Sequence, residues 1–420
     1  MLNYETIDPQ TALDFAATAP IDDLDVTNWH LFRANAELPF FARLRRDDPV
    51  HFREESRYGP YWSITRHGHI KEIDIDHRRF SSQDNITIVD AFDEFQLASF
   101  IAMDPPKHDE QRKIVQPVVG PRNLAEMESL IRSRVIAILE SLPIGEEFNW
   151  VEKVSVELTT QMLATLFDFP FEERSKLTYW SDVNTLGPKS GLVADWDEAR
   201  SELLDCLATF QGMFERRVDP SHDGFDLLTM LAQNSDTRDM PPMELLGNVM
   251  LLIVGGNDTT RNSISGGVLA LNQYPAEYEK LRRDPSLVPN MVAEIIRWQT
   301  PLAHMRRTAL EDVEFHGKTI RKGDKVVMWY LSGNRDEEVF ERADELIIDR
   351  NNARAHVSFG FGIHRCMGNR LAEMQLRVLW EEILQRFHTV EVVGEPRRTL
   401  SNFVRGYTRL PVKLHPLPTT

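Results

Sequence analysis

The chain has 420 residues, 42% of them hydrophobic and 27% charged, an ordinary globular composition with room for a large core. Its 65 acidic residues against 48 basic ones leave a net charge of −17, which argues against nucleic acid as a partner. Two cysteines exclude a disulfide scaffold and fit a reducing compartment.

Residues 1–25 read as a polar, loosely ordered N-terminal arm without the basic and apolar regions of a secretory signal. Residues 26–420 read as a single domain, because no linker, repeat or charge block interrupts them. Strands are expected at 50–52 and 61–64, flanking Gly59-Pro60 as a hairpin. Pro105-Pro106 lead into a helix that carries His108 and Arg112 on one face. Apolar residues at helical spacing predict helices over 124–142, 150–167, 198–217, 243–273 and 286–299. Between the second and third, residues 181–195, with Gly187-Pro188 and Gly191, read as a mobile lid. The longest apolar run, 249–256, stops at Asn257-Asp258, far short of a membrane span, so a cytoplasmic protein without one is expected. A second hairpin over 313–320 turns at His316-Gly317, and a strand over 325–331 follows. A helix over 371–387 and short strands at 390–393 and 411–414 close the chain. The expected fold is mainly α, of α+β type, with small sheets.

The segment Phe359-Gly360-Phe361-Gly362-Ile363-His364-Arg365-Cys366-Met367-Gly368 is the most informative one. A lone cysteine among glycines, just after a His and an Arg, suits a loop that offers one thiolate to a flat, anionic cofactor. Glycine permits the close backbone approach, and the cations suit acidic substituents. A core cysteine would not need the glycines. A dinucleotide loop fails because Arg365 stands where its third glycine should be. A zinc site through His364 and Cys366 would lack two ligands, the other cysteine, Cys206, lying in a distant helical stretch.

The pattern Phe-Gly-x-Gly-x-His-x-Cys-x-Gly resembles the haem-ligand loop of the cytochromes P450. The resemblance implies haem b, with Cys366 as the iron ligand and with Phe359, Gly360 and His364 against the cofactor. A thiolate ligand favours O–O cleavage. Gly255-Gly256-Asn257-Asp258-Thr259-Thr260, in the middle of the longest predicted helix, is similar to the family's oxygen-activating helix. The glycines, Gly255 among them, make room for the ring and for dioxygen, and Asp258 and Thr259 relay protons. A solvent-facing turn is the bland alternative.

His108, Arg112 and Arg307 match the family's propionate grips, Arg306 being a competitor for the Arg307 role. Glu294 and Arg297 meet at i,i+3, and Arg350 completes the family's structural Glu-Arg-Arg triad, which is expected to hold the chain that carries Cys366. Without the Cys366 loop, each of these would be read as an ordinary surface charge.

Longer stretches are similar to the bacterial terminal hydroxylases of medium-chain alkanes and fatty acids, P450 family 153. They include 100–109, 251–263, 297–303 and 401–407. This implies ω-hydroxylation with dioxygen, on electrons from a ferredoxin and its reductase. Terminal C–H bonds are the stronger ones, so selectivity must come from a narrow apolar channel. Candidate walls are Ile86, Ile88, Val89, Leu251, Leu252, Leu302, Ala303, Met305, Phe403 and Val404, any of which could equally be core. Arg112, Lys113, Arg365, Arg370 and Arg377 form a candidate dock for an acidic ferredoxin, or simply a solvated basic face. A monooxygenase of terpenoid or cyclic hydrocarbons would share every motif. A peroxide-driven relative or a non-catalytic haem sensor or carrier would not need Asp258-Thr259.

Overall fold

The computed structural model describes residues 2–83, 85–90 and 97–417. The backbone divides into two compact units, one of Met1–Asp90, Gly266–Cys366 and Glu395–Leu410, the other of Ala91–Ser265, Met367–Gly394 and Pro411–Thr420.

A mixed five-stranded sheet organises the first unit. Its strands lie in the order Val50–Arg53, Tyr61–Ile64, Lys325–Met328, Met305–Ala309, Phe80–Ser81. The predicted hairpin is present with Val50 opposite Ile64, and Tyr61–Ile64 then pairs in parallel with Lys325–Met328. The strand expected over 325–331 is shorter. Trp329 makes its last sheet bond, to the Ile64 carbonyl at 2.9 Å, and Tyr330–Gly333 coil into a helical turn. Gly333 allows that turn, since a Cβ there would stand 2.8 Å from Ile70 Cδ1. The second hairpin, Val313–Phe315 with Lys318–Ile320, turns on His316 and Gly317 at φ 47° and 81°, the positive pair that a tight two-residue turn requires.

The N-terminal stretch is packed rather than loose. Asp8 caps the helix Pro9–Thr18 by accepting from the Gln10 and Thr11 amides. Ile7, Ala12, Ala16, Ala19 and Leu24 join a core cluster with Phe32, Phe40, Phe41 and Trp329. Small apolar residues, spaced too sparsely to stand out in a polar sequence, suffice because the facing aromatics supply the contact area.

Helices build the second unit: Lys107–Val115, Pro121–Glu140, Glu157–Phe167, Ser175–Leu186, Trp196–Arg217, Leu227–Gln233, Asn369–Arg386 and most of the long helix Pro242–Gln273. The helix read over 150–167 opens with a π-helical stretch, Val151–Val156. A three-stranded antiparallel sheet sets Pro411–Pro416 between Glu147–Asn149 and Phe387–Val392. The stretch read as a mobile lid is largely structured. Ser181 lies inside the helix Ser175–Leu186 and is buried. The chain then turns through Gly187 at φ 53°, where any Cβ would overlap the Trp196 ring. Among the described residues, no helix is long and apolar enough to cross a membrane.

Candidate active site

The Cys366 loop is folded by its glycines. Gly360 and Gly362 stand at φ 63° and 66°, and a Cβ at Gly362 would overlap the Asp74 carbonyl oxygen. The Gly360 amide donates to Val357 O and the Cys366 amide to Phe359 O, both at 2.8 Å. The result is a closed loop with Gly360 buried, Phe359 and His364 half-buried, and the Cys366 thiol exposed. A residue that the sequence reading missed anchors it. Asp74, fully buried on the helix His67–Ile75, accepts from the Phe361 amide at 2.8 Å, from Tyr330 Oη at 2.7 Å and from Arg307 Nη2 at 2.8 Å. Burial pushes its pKa up, while Arg307 and the two other donors oppose that. The available signal was an aspartate at i+4 from Ile70 and i+7 from His67, on the buried face of the helix.

Arg307 therefore meets the Cys366 loop through a shared carboxylate. Arg306, its competitor in the sequence, points to Asp90 at 2.6 Å instead. The triad is present. Glu294 takes two bonds from Arg297, both at 2.8 Å, and Arg350 Nε at 3.0 Å. Arg297 also donates to the carbonyls of Asn334 and Ala343 at 2.7 Å. Asn334 then holds the Val357 amide at 2.8 Å and Ser358 Oγ at 2.7 Å, at the start of the cysteine loop.

The apolar candidates of this unit split by burial. Ile88, Ala303 and Val404 are core residues, whereas Ile86, Leu302, Met305 and Phe403 are half-buried and Val89 is 40% exposed. Backbone bonds join them: Arg306 N to Ile86 O, Ala303 N to Phe403 O, and a bridge between Leu302 and Val404.

In the second unit, His108 and Arg112 share the helix Lys107–Val115, His108 buried with Nδ1 2.8 Å from Asp109. Glu244 ties that helix to the long one by accepting from Lys107 and Gln111. Along the long helix, Leu251, Leu252, Gly255 and Thr259 form an unburied stripe between the buried Ile253, Asn257 and Asp258. A Cβ at Gly255 would meet nothing within 4 Å, so the space beside it is open.

Thr259 Oγ1 donates to the Gly255 carbonyl at 2.8 Å. Asp258 faces the other way, toward Ser181 Oγ at 3.2 Å, Asn257 Nδ2 at 3.1 Å and Arg261 at 2.7 Å, and Arg261 also pairs with Asp182. Burial raises the Asp258 pKa, and nearby Asp182 adds to the rise against Arg261. Sequence spacing could have found Arg261 at i+3; Ser181 and Asp182 carried no signal. Of the basic dock candidates, Arg377 is held by Glu128 and Glu381, both at 2.9 Å.

These donors suit haem iron better than a protein-only metal. Cys206 is buried beside Met250, and the one cluster of three metal-type ligands among the described residues, Asp168, His222 and Asp226, includes neither cysteine. A single exposed sulfur on a fixed loop completes a metal's coordination only when the metal brings its remaining ligands with it, as haem iron does.

The comparisons agree. A family profile described as cytochrome P450 matches residues 189–414. Linalool 8-monooxygenase from Pseudomonas putida is 37% identical, over 93% of this chain and 99% of its own length. A methyl-branched lipid omega-hydroxylase from Mycobacterium tuberculosis is 32% identical, over 89% and 90%. Two solved structures superpose with a TM-score of 0.86: cytochrome P450-153 from Novosphingobium aromaticivorans, at 43% identity over 93% of this chain and 99% of that one, and CYP153D17 from Sphingomonas sp. PAMC 26605, at 45% over 94% and 100%. With the fold, the cysteine loop and these likenesses in agreement, the chain belongs to the cytochrome P450 family, on its bacterial family 153 branch, and is a haem-iron monooxygenase that uses dioxygen and a redox partner.

Proposed function

We propose that this monooxygenase hydroxylates the terminal carbon of medium-chain alkanes or fatty acids, with haem b held by Cys366 and electrons delivered by a ferredoxin and its reductase. The observation that carries the haem assignment is the exposed Cys366 sulfur on a loop shaped by two positive-φ glycines. Terminal chemistry is supported by the likeness to family 153 and by a relative named for lipid ω-hydroxylation.

Haem, when bound, supplies the redox chemistry that activates dioxygen and hydroxylates a C–H bond. The chain's residues do the rest. Cys366 gives the thiolate. Arg112 and Arg307 would offset the propionate charge and His108 and His364 would hydrogen-bond to it, burial keeping the His108 ring uncharged, and Arg307 keeps N–H groups for this beyond the two that it spends on Asp74 and the Arg306 carbonyl. The open space at Gly255 would admit the cofactor, and Phe359 and Gly360 shape the ligand loop. Thr259 Oγ1 is a proton donor on the open stripe. Asp258, whose pKa is raised, is the reservoir behind it, and Arg261 and Ser181 hold its carboxyl in place. The half-buried Ile86, Leu251, Leu252, Leu302, Met305 and Phe403 are the apolar guides for an alkyl chain.

The 37% identity to a linalool 8-monooxygenase favours a second reading, hydroxylation of a terpenoid alcohol. One experiment separates the two. The dithionite-reduced protein is examined by its carbon-monoxide difference spectrum, then the ferric form is titrated with a medium-chain fatty acid, an alkane and linalool, and the products are identified. A strongly red-shifted Soret band that is lost in Cys366→Ser supports the ligand assignment. A spin shift and a primary alcohol from the linear substrates support terminal hydroxylation. Turnover of linalool alone replaces that reading with the terpenoid one.

A further inference from the structure

His304 sits between the segments expected to guide substrate, and no family motif cited above includes it. It is fully buried in the first unit. The Ile88 amide donates to its Nε2 at 3.2 Å, so Nε2 is the unprotonated nitrogen and the proton is on Nδ1, which donates to the Asn402 carbonyl at 3.1 Å. The ring also packs edge-on against Trp329, centroids 4.9 Å apart, and tilted against Phe403 at 5.3 Å.

Both tethered segments are secured at other points. The Arg306 amide donates to Ile86 O at 2.8 Å. Lys325 Nζ reaches Ile88 O at 3.2 Å and Asp90 at 3.0 Å, and Arg306 Nη1 reaches Asp90 at 2.6 Å. Asn402 donates its side chain to Thr27 O at 2.7 Å, and Ser401 Oγ accepts from the Phe403 and Val404 amides. His304 bonds both segments at once, one through each ring nitrogen. Burial draws its pKa down to about 4, so the imidazole stays in this acceptor–donor form across the neutral range.

We propose that His304 is a positioning residue for substrate selectivity: by tying Ile88 to Asn402 through the two ring nitrogens, it sets the separation of the 85–90 segment from the 401–404 turn, and so the width of the passage that presents an alkyl chain end. The proposal rests on the terminal-hydroxylation reading for its substrate. It assigns the selectivity to backbone spacing as well as to the apolar side chains. A loosened Ile88 lets the chain slide, and attack moves to the carbons behind the end.

The test compares the haem-loaded wild type, His304→Leu and His304→Gln by amide hydrogen exchange and by the ratio of terminal to in-chain alcohol from a fatty acid and an alkane. Glutamine can accept from Ile88 and donate to Asn402; leucine can do neither. In the wild type the Ile88 amide should be protected. In His304→Leu its exchange should rise roughly tenfold, with the change confined to 85–90 and 401–404, in line with one lost hydrogen bond. The in-chain share of alcohol should rise about threefold or more, and His304→Gln should restore both readings. The proposal is overturned if leucine leaves both readings unchanged. It is also overturned if exchange rises throughout the five-stranded sheet and glutamine does no better, which is what a merely structural residue would give. Should His304→Leu not fold, an Ile88 amide in the wild type that exchanges as fast as an open loop overturns the proposal by itself. A wild type that makes no terminal alcohol sinks the functional reading instead, and the exchange pattern then still decides whether His304 holds the segments.

Discussion

Asp74, outside the family's motifs, holds three parts of the first unit together. One buried carboxylate serves a buried arginine, a tyrosine hydroxyl and the backbone of the Cys366 loop. Replacing it with asparagine keeps its shape and removes its charge, which leaves Arg307 buried without its carboxylate partner in the protein. Breaking a buried pair from one side costs about 3–5 kcal/mol. Asp74→Asn should therefore lose about that much stability in denaturant titration and retain less haem, read as a lower ratio of Soret to protein absorbance. Asp74→Asn combined with Arg307→Met should recover part of the stability, since the stranded charge is gone, without recovering the haem. At Thr259 the expectation is the reverse. Among the described residues its hydroxyl bonds only to its own helix, at Gly255 O, so Thr259→Ala should fold normally and bind haem and substrate. It should then divert electrons to peroxide, lowering product formed per NADH on the order of tenfold. Unchanged coupling would remove Thr259 from the proton path.

At the scale of elements, the cysteine loop shows how far local chemistry can be read ahead of the fold. The loop's glycines stand out in the sequence, and the structure gives two of them a reason: positive φ at both, and no room for a Cβ at Gly362. Gly362→Ala should cost roughly 1–3 kcal/mol from backbone strain alone. It should also displace Phe361 from Asp74, measurable as a lower melting temperature and weaker haem retention. If it melted like the wild type, the loop would be looser than its bonds suggest. The long helix Pro242–Gln273 and the hairpin at His316-Gly317 were legible for the same reason, because period and turn chemistry are local. The strand Met305–Ala309 was not. Its centre is two arginines, and both are buried, which makes sense only once Asp74 and Asp90, more than two hundred positions away in the chain, supply the counter-charges. The lid failed similarly, since the packing of Trp196 on Gly187 cannot be seen in a glycine count. The motif residues of the site were therefore open to the sequence, whereas of the groups that position them Asp74 and Arg261 left only a weak spacing signal and His304 left none.

Across the molecule, the buried histidines set a pH dependence that can be worked out in advance. In the first unit, burial lowers the pKa of His304 to about 4 and, with nearby arginines adding, that of His356 to about 3, against an ordinary 6.5. Both rings act as acceptors, His304 for the Ile88 amide and His356 for the Ser358 amide, so a proton on either accepting nitrogen would set one donor against another. The unfolded chain takes up these protons first as pH falls through 6.5, and the folded chain only near 4 and 3. Over that window the unfolded state binds more protons, so stability contributed by the two residues is complete above pH 6.5 and declines below it. From pH 6.5 to 5 each loses about 1.6 kcal/mol, the slope approaching 1.36 kcal/mol per unit only as the unfolded ring becomes fully protonated. Self-repulsion runs the other way, because a net charge of −17 shrinks as carboxylates take up protons toward the isoelectric point near 5.3. Total stability mixes the two, but their difference between variants does not. His304→Gln leaves the general charge as it is at neutral pH and removes one buried histidine. Its stability should therefore fall less steeply than the wild type's between pH 6.5 and 5, with the gap closing by about 1.6 kcal/mol in denaturant titrations at both ends. Parallel curves for the two proteins would mean that His304 titrates alike in both states, and so that it is not buried as a neutral tether.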